Sequence, residues 1–323
     1  MDLDKLFDPT VQSFIQKNLG ADIRELALKA QGKFDLPLGF LMNQINGRQK
    51  AKKKLPTWWR NSAIVYPDDI SLQQCSSEIS AELKTKNLAK GKTCIDLGGG
   101  FGIDTYFLAH KFEHVIYVEQ NKNLCQIVAH NFKTLGIDHV TIANTTGEEF
   151  IQSFKGKVDL IFIDPARRDV QQQRIFQFED CSPNILEMEE FLQQKGENLL
   201  IKASPLIDIR SAYEQFVSFR NCQVIGINNE CKEVMFSNIE TLRNFYNEIT
   251  IQKEHSKISF ISYNRQFAVI SFYLNKKIKE LELQITNLLN QPVKIVGKIY
   301  SKDKNTFTNI YSDLICLEKY NLN

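Results

Sequence analysis

The 323-residue chain lacks any apolar run approaching the ~20 residues a membrane-spanning helix requires, which argues against such an anchor. Its opening, MDLDKLFDPT, has neither the basic start nor the apolar stretch of a signal peptide. Seven cysteines (Cys75, Cys94, Cys125, Cys181, Cys222, Cys231 and Cys316) include no C-x-x-C pair. An odd, dispersed set reads as reduced thiols in a cytoplasm, not as a disulfide frame or a zinc site. The five histidines show no metal-ligand spacing, so no metal is expected. Net charge is scarce too: at +2, any contact with nucleic acid must come from local patches. No internal repeat or low-complexity linker is evident. What is present is ordinary, 43% hydrophobic and 24% charged residues in a chain long enough for roughly two domains.

Three textures follow one another. Residues 1 to about 70 read as helical, with Val11, Phe14, Ile15 and Leu19 at helical spacing and Ile23, Leu26, Ala27 and Leu28 repeating it. Pro37, Pro56 and Pro67 then interrupt the pattern. Ser71 and Gln74 have capping-box spacing, so a helix is expected to open at Ser71 and run to Gly91. From Lys92 short apolar runs alternate with amphipathic stretches. The expected strands are Thr93–Leu97, His114–Glu119, His139–Ala143, Val158–Asp164, Asn198–Ala203 and Cys222–Ile227. A helix carries Leu124, Ile127, Val128, Phe132 and Leu135 on one face, and Val234–Phe236 adds a short antiparallel strand after the Asn228–Lys232 turn. This alternation predicts a parallel, doubly wound α/β sheet over residues 71–238. From residue 239 the runs ITIQ, KISFIS, FAVISFYL and KIVGKIY look like strands and Lys277–Leu289 like a helix. That predicts a small α+β C-terminal domain over 239–323.

The strongest chemical signal is Asp96-Leu97-Gly98-Gly99-Gly100-Phe101-Gly102, which closes the first expected strand. Glycines at 98, 100 and 102 let the backbone turn tightly and approach a ligand, and the next helix aims its first N–H groups there. An acid ends the first strand, as a site for a charged amino-acid moiety needs. Glu119 ends the second, where a carboxylate accepts both hydroxyls of a ribose. Two readings compete: an NAD-binding Rossmann domain, which usually wants G-x-G-x-x-G, and a purely structural glycine turn.

These residues resemble the class I S-adenosylmethionine-dependent methyltransferases, whose pattern acidic-x-Gly-x-Gly-x-Gly is matched by Asp96, Gly98, Gly100 and Gly102. The resemblance implies a Rossmann-like fold with S-adenosyl-L-methionine as cofactor. Gly98, Gly99, Gly100 and Gly102 would cradle its methionine part and Asp96 would sit beside its amino group. Glu119, with Gln120 next to it, would hold the ribose. Thr146 stands after the third strand, where the family usually places an acid flanking the adenine.

The run Val158–Ile163 delivers Asp164 and Pro165 to the carboxyl end of a strand, where ligands bind in open α/β sheets. The position resembles the Asp/Asn-Pro-Pro-aromatic motif of amino-group methylases. That implies a catalytic role for Asp164 and Pro165, accepting hydrogen bonds from a target amine, with Arg167 in the same motif as a third catalytic candidate. Ala166 replaces the second proline and Arg167 the aromatic ring. Arg167 and Arg168 suit either bidentate contact with phosphate or an ion pair with Asp159 or Asp169. A wider resemblance spans about residues 20 to 235. Lys54-Leu55-Pro56-x-Trp58, Tyr66-Pro67, Gln74-Cys75-Ser76-Ser77-Glu78, Asp-Pro-Ala-Arg-Arg-Asp and Asn228–Glu233 are similar to a bacterial family of class I methyltransferases. Its members have a helical N-terminal part and a THUMP-like C-terminal domain. More distantly, the arrangement is similar to trimethylguanosine synthases, in which a Ser/Thr-x-Glu helix closes over the cofactor. Ser77 and Glu78 take that place here.

Arg48-Gln49-Lys50-Ala51-Lys52-Lys53-Lys54 is the densest basic run, and Trp58 and Trp59 follow. Cations neutralise phosphates and aromatic rings stack on unpaired bases. Lys52, Lys53 and Trp58 are therefore candidate RNA contacts, the other reading being a solvated helix face beside a core tryptophan pair. Cys231 is either a nucleophile or a packed, inert thiol. Lys202 either reaches the pocket or is a charged strand end. The function expected is an S-adenosylmethionine-dependent methyltransferase acting on RNA. Its alternatives are a non-catalytic RNA-binding protein on the same fold and a methyltransferase for protein or small molecules.

Overall fold

A computed structural model describes residues 3–86, 88–167, 178, 181–207, 209–216, 218–219, 221–227 and 230–239, and strands at 258–264, 268–272, 280–286, 292–303 and 306–312. The chain forms two compact units, Met1–Asp159 and Leu160–Asn323.

In the first unit, helices α1 (Leu3–Leu6), α2 (Pro9–Lys17), α3 (Ile23–Ala30), α4 (Leu38–Lys54), α5 (Pro56–Arg60), α6 (Asp69–Gln74) and α7 (Glu78–Lys86) come first. There follow β1 (Gly91–Leu97), α8 (Ile103–Ala109), β2 (Phe112–Val118), α9 (Lys122–Thr134), β3 (Val140–Ala143) and α10 (Gly147–Ser153). Short polar side chains open the helices by accepting otherwise unused first-turn N–H groups: Asp8 from Thr10, Asp22 from Arg24 and Glu25, and Asn121 from Asn123 and Leu124. Strands β1, β2 and β3 lie side by side and parallel, with Ile95 opposite Ile116 and Ile116 opposite Thr141.

The single helix expected from Ser71 to Gly91 is instead two. Asp68, not Ser71, caps the first by accepting the Ser71 N–H at 3.0 Å, and Cys75 turns extended after Gln74. A new helix starts at Glu78, and the Ser77 hydroxyl accepts the Ser80 N–H. Serine side chains that bond nearby backbone compete with helix continuation, which explains the break.

The core of this unit joins Ile15, Leu41, Ile45, Trp58 and Tyr66 to Phe101, Tyr117, Val128 and Phe132. The extended stretch at Val65 and Tyr66 has its backbone satisfied by two buried amides. Asn131 accepts from Val65 N and donates to Val65 O, both at 2.9 Å, and Gln44 does the same for Tyr66 at 2.8 and 2.9 Å. These bonds fasten the N-terminal segment to α9 and α4 without a strand partner.

The second unit begins within β4 (Val158–Ile163), whose apolar side chains are buried as in a strand covered on both faces. It continues with β5 (Ala166–Arg167), β6 (Cys181–Ser182), α11 (Ile185–Lys195), β7 (Gly196–Ala203), α12 (Ile209–Gln215), β8 (Asn221–Ile227) and β9 (Glu230–Ser237). Strands β10 (Ile258–Asn264), β11 (Ala268–Phe272), β12 (Glu280–Thr286), β13 (Pro292–Asp303) and β14 (Thr306–Ser312) complete it. The order here is β4-β7-β9-β8-β10-β11, beside a separate antiparallel sheet β12-β13-β14.

The six strands expected of the α/β region are present, with ends moved by one or two residues. The helix expected over Lys277–Leu289 is not. Glu280–Thr286 is a strand, because Leu281, Leu283 and Ile285 alternate with polar residues at a period of two. Strand β9 is longer than Val234–Phe236 and takes up Cys231 and Lys232, which had been assigned to a turn. The ITIQ run and Asn228–Asn229 lie outside the described residues. No helix among the described residues is long and apolar enough to cross a membrane.

Candidate functional site

The loop after β1 is held from three directions. Gly98 and Gly99 both donate to the Val118 carbonyl at 3.0 Å, and Gly102 donates to Gly99 O at 2.8 Å. The Tyr117 hydroxyl donates to Gly100 O at 2.6 Å. Gly100 at φ +53° and Gly102 at +78° occupy the left-handed region that side chains disfavour. Gly99 is required for a different reason: a Cβ there would lie 2.3 Å from the Tyr117 ring. Phe101 anchors the loop inward, with ring centroids 5.2 Å from Trp58 and 6.2 Å from Tyr66.

Asp96, the residue before the last of β1, is fully buried, its Oδ2 accepting the Thr105 hydroxyl at 2.5 Å. Glu119 follows β2, and its carboxylate reaches the glycine loop. Oε2 accepts the Gly100 N–H at 3.1 Å and Oε1 the Asn121 N–H at 2.8 Å. The Asn144 amide donates to the carbonyls of Glu119 and exposed Gln120 at 2.9 and 3.0 Å, which ties the end of β3 to the end of β2. Thr146 caps α10 by accepting the Glu149 N–H at 3.2 Å. Burial first, and then the Glu119 charge, push the Cys125 thiol up to about 11 and hold the Tyr117 phenol well above its ordinary value. Both stay neutral donors near pH 7.

Other expected site residues are placed differently. Trp58 is 0% exposed, packed edge-on to Phe101 and Tyr106, so it cannot stack on a base and its assignment as an RNA contact is corrected. It is a core residue because the loop needs an apolar floor beneath Phe101. Glu78, expected over a cofactor, accepts the Thr57 N–H at 2.8 Å and the Trp58 N–H at 3.1 Å, capping α5. In the basic run, Arg48 bonds Ser62 O, Lys50 pairs with Asp69, and Lys54 donates to Leu72 O and Gln73 O. Lys52 and Lys53 are exposed, and the Lys52 ammonium lies 5.5 Å over the Trp59 ring.

Sequence reasoning missed a buried cluster beside the loop. Lys84 pairs with Asp104 at 2.7 Å, and the Ser76 hydroxyl donates to Asp104 at 2.7 Å while accepting from Lys84 at 2.6 Å. Asp104 sits two residues past Gly102, the only hint the sequence offered.

In the second unit, Asp164 and Pro165 stand immediately past the end of β4. The Lys202 ammonium on β7 donates to Asp164 Oδ2 at 2.7 Å and lies 3.7 Å from Glu233 Oε1 on β9. From sequence, Lys202 is either a pocket residue or a charged strand end, and Glu233 enters only as part of a motif. The backbone of Ala166–Arg167 pairs with Cys181–Ser182 in a two-residue ladder. Arg168 and Asp169 lie outside the described residues. Cys231 is exposed on β9. Among the described residues no group of three or more His, Cys, Asp or Glu could hold a metal.

Residues 81–195 match the family described as Conserved hypothetical protein 95. No curated protein matches the chain in sequence. Among solved structures, the chain is similar to a Porphyromonas gingivalis W83 protein described as a methyltransferase. The TM-score is 0.59 and the identity 22%, over 84% of this chain and 69% of that one. The chain has the Rossmann-like α/β fold of the class I methyltransferases. Two more distant structures are a Streptococcus mutans protein described as a methyltransferase, in complex with S-adenosylhomocysteine, and a Pyrococcus horikoshii protein described as an RNA methyltransferase. The first has a TM-score of 0.36 and 18% identity over 50% of this chain and 97% of that one. The second has a TM-score of 0.39 and 12% identity over 58% and 96%. On this Rossmann-like fold, the Gly98–Gly102 loop, Glu119 and Gln120 are linked by hydrogen bonds and Asp96 is buried against Thr105, whereas Ser77, Glu78 and Thr146 serve as helix caps.

Proposed function

We propose that the chain is an S-adenosylmethionine-dependent methyltransferase and that its acceptor is RNA. The observation that carries the cofactor reading is the Glu119 carboxylate held 3.1 Å from Gly100 N in the glycine loop. Each of its oxygens accepts one backbone N–H and has two lone pairs, so each retains capacity for one hydroxyl of a vicinal diol. Beside Gly100 the space is open: an added Cβ would meet only Gly98 O, at 4.0 Å. These residues fit S-adenosylmethionine, with Glu119 on the ribose, the Gly98–Gly102 backbone along the amino-acid part and buried Asp96 offering its charge to the ammonium.

When bound, that cofactor supplies an electrophilic methyl group on a sulfonium. Protein groups then act mainly by alignment and by excluding water, which is most of what methyl transfer requires. Asp164 and the Pro165 carbonyl hold the acceptor. The exposed Lys52 and Lys53, with Trp59 alongside, offer phosphates a cationic surface.

The test is transfer of radiolabelled methyl from S-adenosylmethionine to separated RNA, DNA, protein and metabolite pools, with Asp164→Ala as control. Label in RNA that disappears with the variant is the expected result. Label confined to protein or metabolites refutes the RNA assignment. No label in any pool, from protein that binds the cofactor, refutes the enzyme and favours a binding protein on the same fold.

A further inference from the structure

Three charged side chains converge past the carboxyl end of β4: Asp164, Lys202 and Glu233. Asp164 follows β4, and Lys202 and Glu233 lie on β7 and β9, strands that stand together in the order β4-β7-β9. Lys202 and Glu233 are nearly enclosed, their side chains 12% and 10% exposed, whereas Asp164 is 32% exposed. Enclosing an ammonium is costly unless carboxylates compensate it, so Lys202 is held between its two acids. The outermost member, Asp164, is the one a ligand can meet.

We infer that Lys202 is the positioning residue for the Asp164 carboxylate, with Glu233 fixing Lys202 from behind; this deepens the methyl-transfer reading and rests on it. Asp164 follows the last residue of β4, so its backbone leaves the regular strand where its side chain must be placed accurately. The 2.7 Å bond from Lys202 holds Oδ2 and thereby restricts the carboxylate's rotation. Paired with an ammonium, Asp164 is an acceptor only, so the group it holds is an N–H or O–H donor. For a nitrogen acceptor, its lone pair forms the bond to the methyl carbon as the carbon–sulfur bond breaks, and the pair from that bond stays on sulfur. The nitrogen's surplus proton moves along the hydrogen bond to the Asp164 carboxylate, which then releases it to water. A purely structural ion pair would serve β4 and β7 equally well without touching this step, and that is the alternative to eliminate.

The experiment compares Lys202→Met, Lys202→Arg, Glu233→Gln, Asp164→Asn and the Lys202→Met/Asp164→Asn double variant. The whole chain is assayed with the pool that wild type labels. Thermal melting and S-adenosylhomocysteine affinity are measured on every variant. Lys202→Met is expected to lower kcat roughly 10- to 100-fold, the scale at which misplacing a reacting group acts, with cofactor affinity within about twofold of wild type. Lys202→Arg should recover part of the rate, and the double variant should be no slower than Asp164→Asn. Wild-type kcat in Lys202→Met, when Asp164→Asn is slow, overturns this inference and leaves methyl transfer standing. Multiplying defects in the double variant do the same. If Lys202→Met does not fold, Glu233→Gln carries the test: a lowered kcat supports the inference and an unchanged one overturns it. Wild type that labels no pool overturns both readings.

Discussion

Replacing Glu119 by alanine removes the one charge that reaches the glycine loop from β2. The carboxylate accepts the Gly100 N–H at 3.1 Å and the Asn121 N–H at 2.8 Å, and in the proposed complex it also accepts two ribose hydroxyls. A hydrogen bond to a charged group contributes a net ~1.5–3 kcal/mol. The two hydroxyls share one carboxylate, so about 2–3 kcal/mol is lost for the pair. At 1.4 kcal/mol per tenfold, that is a rise in Kd of roughly 30- to 150-fold. Glu119→Gln, which keeps one acceptor oxygen, should fall between the two. Isothermal titration with S-adenosylhomocysteine measures both, and thermal melting checks that the loop still folds. An alanine variant that melts like wild type and binds within about twofold of it would refute the placement of the ribose on Glu119.

Gly99→Ala should cost roughly 1–3 kcal/mol in urea unfolding, because its Cβ would press 2.3 Å from the Tyr117 ring and break the Tyr117–Gly100 bond; unchanged stability would contradict that packing. Asn131→Leu strips both the N–H and the C=O of Val65 of their buried partner, an expected loss of about 2–4 kcal/mol, and a loss below about 1 kcal/mol would mean that the 65–66 stretch is held otherwise. Burial pushes the Tyr66 phenol up to about 12 from an ordinary 10, against the opposing pull of Arg48. The unfolded chain therefore loses this proton first, and stability falls as pH rises from about 10 to 12. Tyr66→Phe should flatten that alkaline limb in pH-dependent melts, and an unaltered limb would count against the cause given.

How much was legible in advance follows from the range of the forces involved. The β4 run, the Leu124–Phe132 face of α9 and the Asp96–Gly102 turn were readable because periodicity and glycine's conformational freedom act within a few residues. The same reading failed at Lys277–Leu289, where helical spacing was assigned to residues whose Leu281, Leu283 and Ile285 fit the period of a strand. It also failed at Ser71–Gly91, where the Ser77 side chain takes the Ser80 N–H and a second helix opens at Glu78. For Trp58 the sequence offered both an RNA contact after a basic run and a core ring, and only its packing against Phe101 decided for the core.

By itself, the sequence determined the alternation of strand and helix, the site of the loop and the acids at the strand ends. Each depends on neighbours in the chain. Tertiary structure alone decided that Glu119 meets Gly100, that Lys84 and Ser76 converge on Asp104, and that Lys202 grips Asp164 from 38 residues away. Those pairings unite segments distant in sequence, and enclosing a charge obliges it to find its opposite wherever the fold brings one within reach.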